Sequence, residues 1–171
     1  MDRATSTTIV IAVILLALAG MVLGWRSRQK RQAHLPRPDT VPAETGAELY
    51  GAEALYVATT LADDELNRVA VVGLGFRARA MITVTEAGVI LSLAGTPEAF
   101  IARAALRAID RATYTIDRVV ERGGLVRVGW TLGDTPVDSY LRLTDPTDVF
   151  ALIAAVNALL PIPDPMEGDA T

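Results

Sequence analysis

Ile9 to Trp25 is a run of 17 uncharged, almost wholly apolar residues, IVIAVILLALAGMVLGW, and it constrains this chain more than any other segment. Ser6, Thr7 and Thr8 extend it to 20 residues without adding a charge. At roughly 1.5 Å per residue a helix of that length spans about 30 Å, the thickness of a hydrocarbon core. Inside lipid every backbone group must be paired internally, so a single span has to be helical. Trp25 ends the run where an indole would sit at the membrane interface. Residues 7–25 therefore read as a transmembrane helix.

A cleaved signal peptide is the competing reading. Ala17-Leu18-Ala19 before Gly20 has the small-residue pattern of a cleavage site. Against it, Met1-Asp2-Arg3 supplies little net positive charge, and the apolar run continues past the site through Met21, Val22 and Leu23. Charge asymmetry gives the anchor a direction. Arg26, Arg28, Lys30 and Arg31 follow the run, with no acid until Asp39, and basic flanks stay cytoplasmic. The expectation is a single-pass cell-membrane protein with its N-terminus outside and its main domain in the cytoplasm. The same four basic residues are candidate membrane-surface contacts, each contributing on the order of 1 kcal/mol beside anionic headgroups.

The rest of the 171 residues has room for one folded domain. Residues 26–46 read as a basic, Pro-rich linker carrying Pro36, Pro38 and Pro42, and residues 161–171 as a disordered acidic tail. Between them, residues 47–160 hold 14 acids and 10 bases, all ten Arg. That balance lacks the positive field that nucleic-acid binding requires. The chain has no Cys, which removes disulfides, thiolate chemistry and Cys-based metal sites.

Within 47–160 the pattern is strands followed by one helix. Leu125–Leu132 alternates, with Val126, Val128, Trp130 and Leu132 on one face. Val137–Leu143 does likewise, with Val137, Leu141 and Leu143 inward and Asp138, Tyr140 and Arg142 outward. Gly133-Asp134-Thr135-Pro136 supplies turn chemistry between the two. Arg77–Thr85 sets Ala78, Ala80, Ile82 and Val84 against Arg77, Arg79, Thr83 and Thr85. Glu86-Ala87-Gly88 then turns into Val89–Leu93. Ala54–Thr60, Ala99–Ala102 and Ile109–Val120 bring the expected count to about seven strands, with a helical turn at 104–107 and a hairpin at Gly123-Gly124. Asp145 as N-cap and Pro146 as first helical residue open an amphipathic helix carrying Val149, Leu152, Ile153, Val156, Leu159 and Leu160, which Pro161 stops.

Seven strands and a C-terminal amphipathic helix resemble the pleckstrin-homology (PH)-like barrel: mainly β, with the one helix closing an open end. The chain also resembles small actinobacterial single-pass membrane proteins with a PH-like domain. Their genes often lie among pyrimidine-biosynthesis genes, and they are often labelled export proteins or transporters. The residues carrying the likeness are Leu74-Gly75-Phe76-Arg77, Thr115-Ile116-Asp117-Arg118-Val119-Val120-Glu121, Gly124-Leu125-Val126, Trp130 and Asp138-Ser139-Tyr140-Leu141-Arg142. The chain departs from lipid-reading PH domains where Asp63-Asp64-Glu65 stands in place of a basic loop, since three acids repel an inositol phosphate. Its helix also lacks the Trp that many PH domains carry. Specific phosphoinositide binding is therefore not expected.

Chemistry-bearing residues are sparse. His34, the single histidine, lies in the linker. Ser92 and Ser139 are the serines of the folded unit, and neither has the context of a nucleophile elbow. All three are expected to tolerate Ala. Gly73-Leu74-Gly75-Phe76 lacks the third Gly of a dinucleotide fingerprint. It matches the peptide-carboxylate loop of PDZ domains, but the order of elements disagrees, which leaves a turn into a strand. Asp63-Asp64-Glu65 lacks calcium-loop spacing and reads as a solvated loop or helix start. Arg77 and Arg79 share a strand face and are the candidate partner contacts. No catalytic, cofactor or metal residue is assigned. Two functions remain: a membrane-anchored, non-enzymatic binding or adaptor module with a protein partner, or an accessory subunit of a membrane export or transport system. One apolar span without an ionisable residue builds no transport site by itself.

Overall fold

The computed structural model describes residues 3–31, 35–71, 73–112 and 125–161. They fall into two compact units divided between His34 and Leu35, each treated by itself. The expectations for Thr115–Val120, for the Gly123-Gly124 hairpin and for the tail beyond Pro161 lie outside the described residues.

The first unit is one helix, α1 (Arg3–Arg31). It continues six residues beyond Trp25, so Arg26 to Arg31 are helical and not part of an extended linker. Ile9, Ile11, Ile14, Leu16, Leu18, Met21 and Leu23 are all exposed, around the whole circumference. Among the described residues, no helix is long and apolar enough to cross a membrane. The described side chains of the apolar run cover Ile9 to Gly24 only, which at 1.5 Å per residue is about 24 Å.

The second unit is mainly β. Eight strands are described: β1 (Glu48–Leu61), β2 (Asp64–Arg68), β3 (Ala78–Thr85), β4 (Gly88–Leu93), β5 (Ala99–Ala102), β6 (Leu106–Ala112), β7 (Leu125–Leu132) and β8 (Thr135–Leu143). All pairings are antiparallel, in the order β5-β4-β3-β1-β8-β7-β6, with β2 paired to β1 off that path. This corrects the seven-stranded closed barrel. There is one strand more among the described residues, and the path ends at β5 and β6 without joining them. A 3-10 turn, Arg103–Ala105, connects those two ends in sequence, close to the helical turn expected at 104–107.

β1 organises the sheet. Its first part pairs with β3 through Glu48–Tyr56, and its second with β8 through Ala54–Leu61. Register shifts at Glu48/Tyr50, Tyr56/Ala58 and Thr60/Leu61 mark where it departs from a flat ladder, which bends a strand. One 14-residue strand thus serves both halves of a curved sheet. The core gathers Tyr56, Ile82, Val84, Leu91, Ile101, Val128, Trp130, Leu132 and Leu141 on its inner face. Strand period two places every inward residue expected on β7 in that core.

The C-terminal helix, α2 (Asp148–Asn157), packs on β1, β6 and β3. Val149, Leu152 and Val156 are buried on its inner stripe, and Leu159 follows just past its end. It starts later than expected from Pro146. Asp145 Oδ1 accepts the Thr147 amide at 2.8 Å, as a cap should. The first turn, however, bonds Asp148 N to Asp145 O and Val149 N to Pro146 O, a tighter i to i+3 pattern. Tyr50 O–H donates to Asp148 Oδ1 at 2.7 Å and ties the helix start to β1. That bond, above all, pushes the Tyr50 pKa up to about 12.

Three further expectations are corrected. Asp63-Asp64-Glu65 is solvated as expected, but only Asp63 lies in a turn; Asp64 and Glu65 begin β2, whose exposed residues carry no apolar alternation to reveal a strand. Asp138 and Tyr140 do not face solvent. Tyr140 packs with Val57, Ala58 and Leu125 in a second small cluster on the other side of the sheet. Asp138 is buried beside Arg127, which pairs with both Asp138 and Asp110. Thr85 is buried too, its hydroxyl donating to Gly88 O at 3.0 Å. Finally, the stretch read as the end of a tether lies on the sheet: Leu35 belongs to the core, and Phe100 N donates to Asp39 O at 2.9 Å.

Ser139 is fully buried and joins a hydrogen-bonded chain, which gives it a structural role that its sequence context does not announce. Trp130 Nε1 donates to Ser139 Oγ at 2.9 Å, and Tyr56 O–H donates to Leu74 O at 2.9 Å. Thr59 Oγ1 lies 2.7 Å from both Ser139 Oγ and Tyr56 OH. An indole N–H only donates, and the single Tyr56 proton is engaged. Ser139 must therefore donate to Thr59, and Thr59 to Tyr56. Removing the Ser139 hydroxyl orphans two buried groups at once. Ser139→Ala is expected to destabilise the domain by about 1–3 kcal/mol in urea unfolding. An unchanged midpoint would show that the chain of hydroxyls contributes nothing net.

Candidate partner-binding cleft

On the outer face of β1, β3 and β4 lies an open cleft of about 780 Å³. Its lining includes Glu53 and Leu55 of β1, Arg79 and Met81 of β3, Ser92 of β4, and Glu98 in the turn before β5. Strand register explains the grouping. Leu55 pairs with Arg79, and Glu53 with Met81, so these four side chains share one face in two adjacent rows. Met81 pairs with Ser92 and extends the second row. Ser92 O–H donates to Glu98 Oε1. Thr144 closes the opposite side, its amide donating to Glu53 O at 2.9 Å.

The floor is partly apolar: Met81 is 40% exposed and Leu55 half-buried. Among the described residues no hydrogen bond or ion pair engages the side chain of Arg79 or of Glu53. Both charges therefore face the cleft available to an incoming group. The two expected contacts are thus placed differently. Arg79 lines the cleft; Arg77 is exposed just before β3 and is not among the lining residues.

Gly73-Leu74-Gly75-Phe76 forms a turn that is anchored from inside, because Leu74 is fully buried and holds Tyr56. β3, the strand that would receive a peptide in a PDZ-like mode, is flanked by β1 and β4 and offers no free edge. Of the basic group after the apolar run, Arg26 is exposed, and Arg28, Lys30 and Arg31 continue the α1 backbone, where cations suit a helix C-terminus. Among the described residues no group of three carboxylate or imidazole side chains is placed to hold a metal ion. Burial raises the Asp138 pKa, and Arg127 opposes that shift. Its carboxylate belongs to the Arg127 pairing on the far half of the sheet and not to the cleft.

A curved antiparallel sheet, a long first strand shared by both halves and one C-terminal helix define a PH-like domain. The profile of the Bacterial PH domain-like family matches residues 33–157, and the chain belongs to that family. None of the curated proteins matches it. One chain of a solved structure, "The 8S snRNP Assembly Intermediate", is similar with a TM-score of 0.47 at 12% identity, covering 78% of this chain and 97% of that chain. At that TM-score the likeness carries no argument. PH-like domains are generally binding modules and not catalysts.

Proposed function

We propose that this chain is a non-enzymatic binding module held at the cell membrane by α1, with its PH-like domain in the cytoplasm and Arg79 among its partner contacts. The observation that carries the reading is the apolar surface of α1 from Ile9 to Gly24, exposed on every side. A helix that is apolar all round has no solvated face to turn outward and is stable only when surrounded by protein or lipid. The unpaired Arg79 in an open cleft gives the domain a place to hold a protein partner. Arg26, Arg28, Lys30 and Arg31 set the orientation by staying on the cytoplasmic side.

Orientation is tested by fusing alkaline phosphatase after Thr171. That reporter needs export, so the fusion is expected to be inactive in cells; strong activity would reverse the topology. A mature chain beginning at Gly20 would remove the anchor. The partner is sought by purifying the full chain in mild detergent and comparing it with Arg79→Glu by mass spectrometry. A multi-span protein retained by both would favour the export-subunit reading instead.

A further inference from the structure

The register of β8 adds a residue to the cleft's edge that its lining alone does not disclose. Leu55 pairs with Arg79 on one side and with Arg142 of β8 on the other. Directly paired residues face the same side of a sheet, so Arg142, Leu55 and Arg79 form one row on the outer surface. Arg142 is exposed, between the buried Leu141 and Leu143. Like Arg79, its side chain has no hydrogen-bond or ion-pair partner among the described residues. Two strand spacings separate the arginines by roughly 10 Å between backbones. In the adjacent row Thr144, Glu53 and Met81 stand beside Arg142, Leu55 and Arg79 respectively.

We propose that Arg142, Leu55 and Arg79 together recognise an extended protein segment that presents two acidic side chains flanking an apolar one. This rests on the binding-module reading above and names the chemistry of its partner. Each guanidinium meets a carboxylate through charge-assisted hydrogen bonds. The apolar side chain settles on Leu55 and Met81. In an extended segment every second side chain shares a face, so acids four residues apart with the apolar residue midway present all three to the row, and their span of about 13 Å lies within reach of two long guanidinium side chains whose backbones are roughly 10 Å apart. Glu53 and Glu98 disfavour a dense anion such as a polyphosphate, and a concave strip with an apolar floor does not fit a flat anionic membrane. Glu53, diagonal to both arginines, sets a cost that only a segment engaging both overcomes.

The test uses the full chain in non-ionic detergent and a fluorescein-labelled peptide, Ser-Asp-Val-Leu-Ser-Asp-Ser, followed by anisotropy. Saturable binding is expected. Arg79→Ala and Arg142→Ala should each weaken it about tenfold, and Glu53→Gln should strengthen it about threefold, with melting temperatures unchanged because all three side chains are exposed. Replacing the peptide's Leu with Ser should weaken binding about fivefold. Absence of saturable binding, or binding unmoved by both arginine changes, would overturn the inference. So would indifference to the Leu change with full displacement by inorganic phosphate, which would mean a bare anion site. Arginine-dependent binding to phosphatidylserine vesicles in place of the peptide would assign the row to lipid and overturn it as well. A photo-crosslinker at Met81 separates the two levels. If the peptide fails while the crosslinker captures a defined protein in cells, the arginine inference falls and the binding-module reading stands. If the crosslinker also captures nothing, both fall.

Discussion

Gly88→Ala is expected to prevent the PH-like domain from folding. Gly88 begins β4 at φ +153°, a conformation that side chains other than hydrogen rarely adopt. A Cβ built there would lie 2.1 Å from Ile101 O and 2.9 Å from Arg103 N. Both atoms are backbone and cannot rotate away. β4 is paired on both sides at this point, Gly88 with Thr85 of β3 and with Ala102 of β5. Relief would require β5 to pull away, and β5 brings Ile101 into the core. The cost should exceed about 4 kcal/mol, a large part of a typical domain's stability. Gly95→Ala is the control. Its φ is +82°, but nothing lies within 4 Å of the added carbon, so the cost should be about 1 kcal/mol of backbone strain. Urea unfolding followed by Trp fluorescence distinguishes the two, and equal midpoints would mean that the β4–β5 contact is not as described.

Trp130→Ala should destabilise the domain by about 3–5 kcal/mol. Trp130 is 2% exposed, in the centre of the core, and its N–H starts the hydrogen-bonded chain through Ser139, Thr59 and Tyr56 to Leu74. The Ala variant loses the buried ring and leaves Ser139 short of a donor. Trp130→Phe keeps most of the apolar volume and isolates the polar part, for which about 1 kcal/mol is expected. A loss below about 1 kcal/mol in the Ala variant would mean that the β7 face is assigned to the wrong side of the sheet.

β7 was legible because from Val126 to Leu132 its inward residues are large and apolar and its outward residues, Arg127, Gly129 and Thr131, are not. Val126, Val128, Trp130 and Leu132 alternate with residues that need no burial, and every second side chain of a strand shares a face. One strand later the same rule placed the side chains on their faces but not their burial. Val137, Leu141 and Leu143 are inward as expected, but Asp138 and Tyr140 are also buried. Alternation reports which residues must be hidden from water. It does not report which polar residues a neighbouring strand will cover, and Arg127 of β7 does that for Asp138. β2 was missed for a related reason: Asp-Glu-Leu-Asn-Arg has no apolar side to signal a strand and is held by backbone pairing to β1.

Local chemistry determined the apolar helix at the N-terminus, the β-rich domain, the alternating faces of β3 and β7, and the inner stripe of α2. Each follows from residues within a few positions of one another, where periodicity and turn residues decide the outcome. Tertiary pairing decided the rest: the eighth strand, the open path from β5 to β6, and the cleft itself. Arg79 and Arg142 are 63 positions apart, and each is an ordinary outward strand residue on its own. They share a row only because β1 lies between β3 and β8 with Leu55 opposite both. That register is set by long-range packing of the sheet's inner face on the core and α2, which no short window of sequence contains.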